Sequence, residues 1–242
     1  MSRFDWTGFE AVLFDLDGVL TSTAKIHAAA WKQTFDEFLE DREGPEPEPF
    51  DIDQDYRVYV DGRPRYEGVV SFLSSRGIQL PFGDPSDAPG HDTVCGVGNL
   101  KNQLVQDLLA QGEIEAFPGS LLLLDHLEEM GLRLAVVSAS ANAATVLSGA
   151  GLLDRFEVRV DGEVTTNLGL AGKPAPDTFL EAARRMDVTP EKSVVVEDAV
   201  AGVQAGVAGR FGAVIGVDRH GDPTALADAG AHLVVADLGE LA

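Results

Sequence analysis

Short aliphatic runs of strand length, each closed by turn residues, recur along this chain and restrict what it can fold into. They are Ala11–Phe14, Leu132–Val137, Ser193–Val196, Ala213–Val217 and Leu233–Val235. A run of this kind, without apolar/polar alternation, belongs to a strand covered on both faces. Between most of the runs the apolar residues take helical spacing, at Ser120–Met130, Ala143–Gly149, Asp177–Met186, Val200–Ala208 and Pro223–Ala229. Buried strands alternating with helices predict a doubly wound, Rossmann-like α/β fold with a parallel sheet and right-handed crossovers. The chain's 242 residues, 45 % of them hydrophobic, supply a core of that size.

One interval breaks the alternation. After the first strand the next one begins only at Leu132, and the residues between are mostly helical in pattern. Helices are predicted at Ala24–Leu39, Gly68–Arg76 and Asn99–Leu109, with a loop at Pro45–Pro49 and a glycine-rich connection, PFGDPSDAPG. This predicts a core built from residues 1–22 and 115–242, with residues 23–114 inserted as a small helical cap after the first strand.

Ligands of doubly wound folds sit beyond the carboxyl ends of the strands, so the residues there carry the chemical information. The first strand runs into Asp15-Leu16-Asp17-Gly18, and the second into Ser138-Ala139-Ser140 with Asn142 opening the next helix. Gly172-Lys173-Pro174-Ala175-Pro176-Asp177 precedes the Ser193–Val196 strand, which itself ends in Glu197-Asp198. Acids, a hydroxyl and a lysine thus gather along one sheet edge. A carboxylate and a phosphate repel each other, and a divalent cation such as Mg²⁺ removes much of that repulsion. Asp15 is the candidate nucleophile, forming an aspartyl phosphate. Asp17, on the same side of the chain, is the candidate general acid/base. Asp15, Asp17 through its backbone oxygen, Glu197 and Asp198 are the candidate metal ligands. Ser138 and Asn142 can donate to phosphoryl oxygens, and Lys173 can neutralise both nucleophile and phosphoryl group. Singly, each has an ordinary alternative as a turn acid, a helix cap or a surface lysine. It is their joint order that argues for a site.

FDLDGVLTST, VVSAS, GKPAPDTF and VVVEDAVAGVQA resemble, in order, the motifs of the haloacid dehalogenase superfamily, and the resemblance spans the chain. Finer features resemble its β-phosphoglucomutase branch. The resemblance implies a phosphate loop at Ser138-Ala139-Ser140-Ala141-Asn142. It places His27 in the acid/base hinge region beside Trp31, and Lys101-Asn102 in the cap facing a sugar phosphate. It puts a phosphate-gripping arginine in Gly62-Arg63-Pro64-Arg65, with Arg63 favoured over Arg65. Ser22 departs from the family pattern, where an acid is common, and the cap is longer than in the simplest mutases. The implied activity interconverts β-glucose 1-phosphate and glucose 6-phosphate through an aspartyl phosphate and glucose 1,6-bisphosphate, with Mg²⁺ as cofactor and a monomeric state. The alternatives are a Mg²⁺-dependent phosphatase of a small phosphorylated metabolite and a non-catalytic phospho-accepting module. From the residues alone, His27 is equally a packed histidine, Trp31 a core residue, and Arg63 and Arg65 solvated charges.

A formal net charge of −22 repels nucleic acid and anionic lipid, and confines any phosphate site to a local cluster of donors. No run reaches the ~18–20 apolar residues of a membrane span. The opening segment lacks the pattern of a signal peptide. With Cys95 as the one cysteine, an internal disulfide and a cysteine metal cluster are excluded. Nor do His91, His126, His220 and His232 have metal-site spacing. The expectation is a cytoplasmic enzyme whose partner is a small phosphorylated sugar, with neither nucleic acid nor membrane bound.

Overall fold

The computed structural model describes residues 4–44, 47–219 and 221–242, so Pro45 and Glu46 of the predicted loop, and His220, lie outside the described residues. The chain divides into two compact units, residues 1–22 with 114–242, and residues 23–113.

The first unit holds a six-stranded sheet in the order β3-β2-β1-β4-β5-β6. Its strands are β1 (Ala11–Phe14), β2 (Arg133–Val137), β3 (Val158–Val160), β4 (Ser193–Glu197), β5 (Ala213–Val217) and β6 (Leu233–Val235), and every pairing is parallel. Five of these strands coincide with the aliphatic runs. The sixth, β3, escapes the hydrophobic pattern because it has three residues with Arg159 in the middle. All residues of β1 are fully buried, as expected of a central parallel strand. The register aligns Phe14 with Val136 on one side and with Val196 on the other. The carboxyl ends of β1, β2 and β4 therefore lie side by side, at the place where the strand order reverses.

The helices of the second unit are α1 (Ala24–Glu43), α2 (Arg65–Ser75) and α3 (Val94–Gln111). The first unit continues with α4 (Pro118–Glu129), α5 (Ala143–Gly149), α6 (Gly162–Leu168), α7 (Asp177–Arg185), α8 (Val200–Ala208) and α9 (Pro223–Asp228). Helix α3 begins well before the predicted Asn99, capped by Thr93, whose hydroxyl accepts from the Gly96 N–H at 2.9 Å. Glycines at 96 and 98 weaken the helical pattern there, yet a Cβ on Gly98 would crowd the Tyr66 ring. Tyr56–Val60 forms a π-helical turn that no apolar spacing announces.

The two units pack differently inside. The sheet unit buries aliphatic strands and alanine-rich helix faces around Phe179 and Met186. The helical unit is built on aromatic rings: Phe35 lies 5.0 Å from Trp31, 5.2 Å from Phe50 and 4.2 Å from Phe72, centroid to centroid. Among the described residues, no helix is long and apolar enough to cross a membrane.

Candidate active site

The sheet edge assembles the predicted core residues into one buried cluster. Asp15 prolongs β1, its N–H donating to the Val196 carbonyl at 2.9 Å. The chain then leaves the sheet in a tight turn over Leu16–Thr21. The Gly18 N–H donates to the Thr21 carbonyl at 2.8 Å, and the Thr21 hydroxyl to the Leu16 carbonyl at 3.3 Å. Gly18 takes a φ of +99°, and a Cβ there would collide with the carboxylate of Asp198. Only glycine satisfies both demands. A Cβ on Gly202, one turn into α8, would likewise strike the Glu197 carboxylate.

Lys173 is the centre of the cluster. Its Nζ donates to Asp15 Oδ1 at 2.5 Å, to Glu197 Oε1 at 2.6 Å and to the Val137 carbonyl at 3.1 Å. Those three bonds use all three donors of an ammonium group. The lysine is only 2 % exposed, and the Lys173–Pro174 peptide is cis. Glu197 is fully buried, and its second oxygen accepts from the Ala199 N–H at 2.9 Å. It is therefore as much the lysine's partner as a metal ligand. Burial opposes the Lys173 charge, but Asp15 and Glu197 more than offset it and raise its pKa. Burial raises the Asp15 carboxyl in spite of the lysine, and pushes Glu197 up to about 7.

Ligand oxygens of Asp15, Glu197 and Asp198 lie within 4.8 Å of one another. Three buried carboxylates converge where Lys173 and the neighbouring Arg219 are the cations, and closely spaced buried carboxylates favour binding a proton or a further cation. The donors are hard oxygens, so the residues fit a cation such as Mg²⁺ or Ca²⁺ and not a thiophilic metal.

Asp17 is tethered in another way. The Ser138 hydroxyl donates to its Oδ2 at 3.1 Å. Ser138 Oγ in turn accepts from the Ser140 N–H at 3.0 Å, and Ser140 Oγ from the Asn142 N–H at 3.1 Å. The segment containing Ala139 is thus a small ordered loop after β2. Gly162 packs behind it, its N–H donating to the Ser140 carbonyl at 3.1 Å.

Sequence reasoning missed Arg219, which follows β5. It donates from Nε to the Gly18 carbonyl at 2.7 Å, and its guanidinium lies 3.9 Å from the Phe117 ring centroid. Burial lowers its pKa while Asp198 and Asp237 favour its charge. Applying the strand-end rule to β5, as to the others, would have found it.

In the helical unit the structure brings together His27, Trp31 and Lys101. Lys101 is 5 % exposed, its Nζ 2.7 Å from His27 Nδ1 and 4.8 Å from the centroid of Trp31. Burial first, and Lys101 second, hold the His27 pKa well below its usual value. The imidazole is therefore neutral, with Nδ1 accepting from the ammonium. Trp31 is buried and stacked on Phe35, which makes it part of that unit's core. Arg63 and Arg65 occupy a different place, the half-buried turn into α2. Arg65 donates to the Tyr66 hydroxyl at 3.1 Å, and Tyr66 to Asn99 Oδ1 at 2.9 Å.

Comparison with known proteins places this arrangement. The profile of the haloacid dehalogenase-like hydrolases matches residues 9–210. A β-phosphoglucomutase of Mycobacterium bovis is 48 % identical over 238 residues, covering 96 % of this chain and 90 % of that one. A β-phosphoglucomutase of Bacillus subtilis is 32 % identical over 234 residues, covering 96 % and 91 %. The crystal structure of a β-phosphoglucomutase from Clostridium difficile superposes with a TM-score of 0.75 at 27 % identity, covering 97 % of this chain and 93 % of that one. A lysine shared between two strand-end carboxylates, a second aspartate tied to a serine loop, and these similarities lead to one conclusion: the chain is an enzyme of the haloacid dehalogenase superfamily, in its β-phosphoglucomutase-like branch, and transfers phosphoryl groups.

Proposed function

We propose that the enzyme is a sugar-phosphate mutase that interconverts β-glucose 1-phosphate and glucose 6-phosphate through phospho-Asp15 and glucose 1,6-bisphosphate. The observation that carries the reaction type is the unequal tethering of the two aspartates. Asp15 is pinned by the buried Lys173, which fixes the nucleophile in place. Asp17 accepts from the Ser138 hydroxyl at the phosphate loop, and there it can exchange a proton with the leaving or incoming oxygen. In the first half-reaction an Asp15 oxygen bonds to phosphorus as the bond to the leaving oxygen breaks, and Asp17 gives its proton to that oxygen. In the second, Asp17 takes a proton from the incoming sugar hydroxyl, which displaces Asp15. Ser138, the Ala139 backbone and Asn142 orient the phosphoryl oxygens, and Lys173 shares its charge with them.

Asp15, Asp198, Glu197 and the Asp17 backbone oxygen would hold Mg²⁺. When bound, the ion offsets the repulsion between the Asp15 carboxylate and the phosphate. Residues 23–114 act in this reading as the cap that excludes water from the aspartyl phosphate. Arg63, with Arg65 beside it, grips the second phosphate, while Lys101 and His27 meet the sugar. The identity to two β-phosphoglucomutases over nearly the whole chain supports mutase over phosphatase. The enzyme works as a cytoplasmic monomer in this proposal.

Phosphorus NMR of the products, with β-glucose 1-phosphate and a catalytic amount of glucose 1,6-bisphosphate, tests it. Glucose 6-phosphate is expected, formed faster with the bisphosphate. Stoichiometric inorganic phosphate without isomerisation would instead establish the phosphatase.

A further inference from the structure

The turn that carries Asp17 belongs to neither a strand nor a helix. Its own backbone supplies an isolated bridge between Asp17 and Thr21 and the Gly18-to-Thr21 hydrogen bond. Side chains from elsewhere hold the rest. The Ser120 hydroxyl donates to the Val19 carbonyl at 2.7 Å, and Arg219 Nε donates to the Gly18 carbonyl at 2.7 Å. A second Arg219 nitrogen approaches the Val19 carbonyl at 3.5 Å. The two peptide planes that flank Gly18 are thus each fixed, one by Thr21 and the other by Arg219. Because the first of them contains the Asp17 carbonyl, rotation about Gly18 would swing Asp17 off the sheet edge. At a φ of +99°, glycine by itself offers little resistance to that rotation.

Arg219 is well placed for the task. Its side chain is 17 % exposed, and its guanidinium is sandwiched between the Phe117 ring and the C-terminal segment. There it meets the Ala236 carbonyl at 3.4 Å and Asp237 at 3.8 Å. Asp237 is itself locked as the cap of the last helical turn, accepting from the Gly239 N–H at 2.8 Å. The planar, always-charged fork of arginine reaches these groups at once, which a lysine ammonium does not.

We propose that Arg219 is a positioning residue for phosphoryl transfer: by clamping the Gly18 carbonyl it sets the pose of Asp17 as general acid/base. This rests on the acid/base reading of Asp17 given above.

The test is aspartyl-phosphate formation in the first turnover, followed by rapid quench with Mg²⁺ present. Two donors are compared, an aryl phosphate with a good leaving group and a hexose 1-phosphate whose leaving oxygen needs a proton. Arg219→Gln is expected to slow transfer from the sugar phosphate by about ten- to thirtyfold, the worth of one charge-assisted hydrogen bond. KM should stay within about twofold and the aryl rate within about threefold, since a good leaving group departs unprotonated. Arg219→Lys, which keeps a donor and the charge over Phe117, should recover part of the loss; it also provides the measurement if the glutamine variant does not fold. Equal slowing of both donors, a change confined to KM, or a lowered Tm with unchanged rates would overturn the proposal. Asp17→Ala is the control. A steep leaving-group preference there with none in Arg219→Gln removes Arg219 alone, whereas no preference in either removes the acid/base reading along with it.

Discussion

The two units of this chain solve the problem of buried polar groups in contrasting ways. In the sheet unit a buried ammonium is matched to groups that neighbouring strand ends present. Lys173 draws its three acceptors from the ends of β1, β2 and β4. In the helical unit the polar groups pair across helices: Lys101 on α3 with His27 on α1, and Arg76 after α2 with Asp55 at 3.0 Å. The first arrangement is as rigid as the sheet register, and it suits a reaction in which atoms must meet within fractions of an ångström. The second depends on how well aromatic cores hold helices together. Electrostatic rigidity and packing rigidity should therefore fail under different insults.

The largest effect is expected from Asp15→Asn, which removes the nucleophile. Turnover and acid-stable trapping of an aspartyl phosphate should fall to background while the fold persists. Near-normal turnover would rule out the covalent route. Asp17→Ala comes next, with a loss of about 10²–10⁴-fold in kcat. Metal-induced stabilisation should be retained, measured as the Tm shift on adding Mg²⁺. Phe72→Ala then probes the other unit: Phe72 is fully buried against Phe35, Phe50 and Tyr59, and its loss should destabilise that unit by about 3–5 kcal/mol. Hydrogen exchange should quicken within residues 23–113 and leave the amides of β1 and β4 protected. Uniform loss of protection would mean that the two units share one cooperative core.

The smallest effect is one of pH. Without metal, Glu197 ionises near 7 in the folded chain against an ordinary 4.5. Between those values the unfolded chain has lost a proton that the native state keeps, so stability falls as pH rises through that window. Bound Mg²⁺ favours the ionised acids and cancels this penalty. The Mg²⁺-induced rise in Tm should therefore be greater near about pH 8 than near about pH 5.5, by a few degrees. The reverse order would place the metal away from Glu197.

How much of this was legible beforehand also follows the division between units. Strand ends are readable because a parallel strand announces itself as an aliphatic run, and the residue after it lands at the sheet edge. Asp15, Ser138, Glu197 and Asp198 came from that rule. Arg159 interrupts β3, which leaves three residues with no run to detect. Arg219 follows a well-marked strand and was missed because an arginine after Asp218 reads as solvated, and its partners are backbone carbonyls some 200 positions away. In the helical unit, periodicity located the helices but not their polar pairing. His27 and Lys101 lie 74 positions apart, and only the family resemblance singled them out. The π-helical turn at Tyr56–Val60 shows neither helical nor strand periodicity, so nothing local marks it.

The position of β1 in the middle of the sheet has a consequence for how the protein is made. On the ribosome the central strand emerges first, but its neighbours β2 and β4 follow only after the whole helical unit has been synthesised. Until then Ala11–Phe14 is an apolar segment with no sheet to join. The intervening residues, with an aromatic core of their own, can condense in the meantime and shorten the span that β1 must bridge. The last partner to arrive beside β1 is β4, which also delivers Glu197 and Asp198. The nascent chain therefore gains the second neighbour of β1 and the buried acids Glu197 and Asp198 in the same late step.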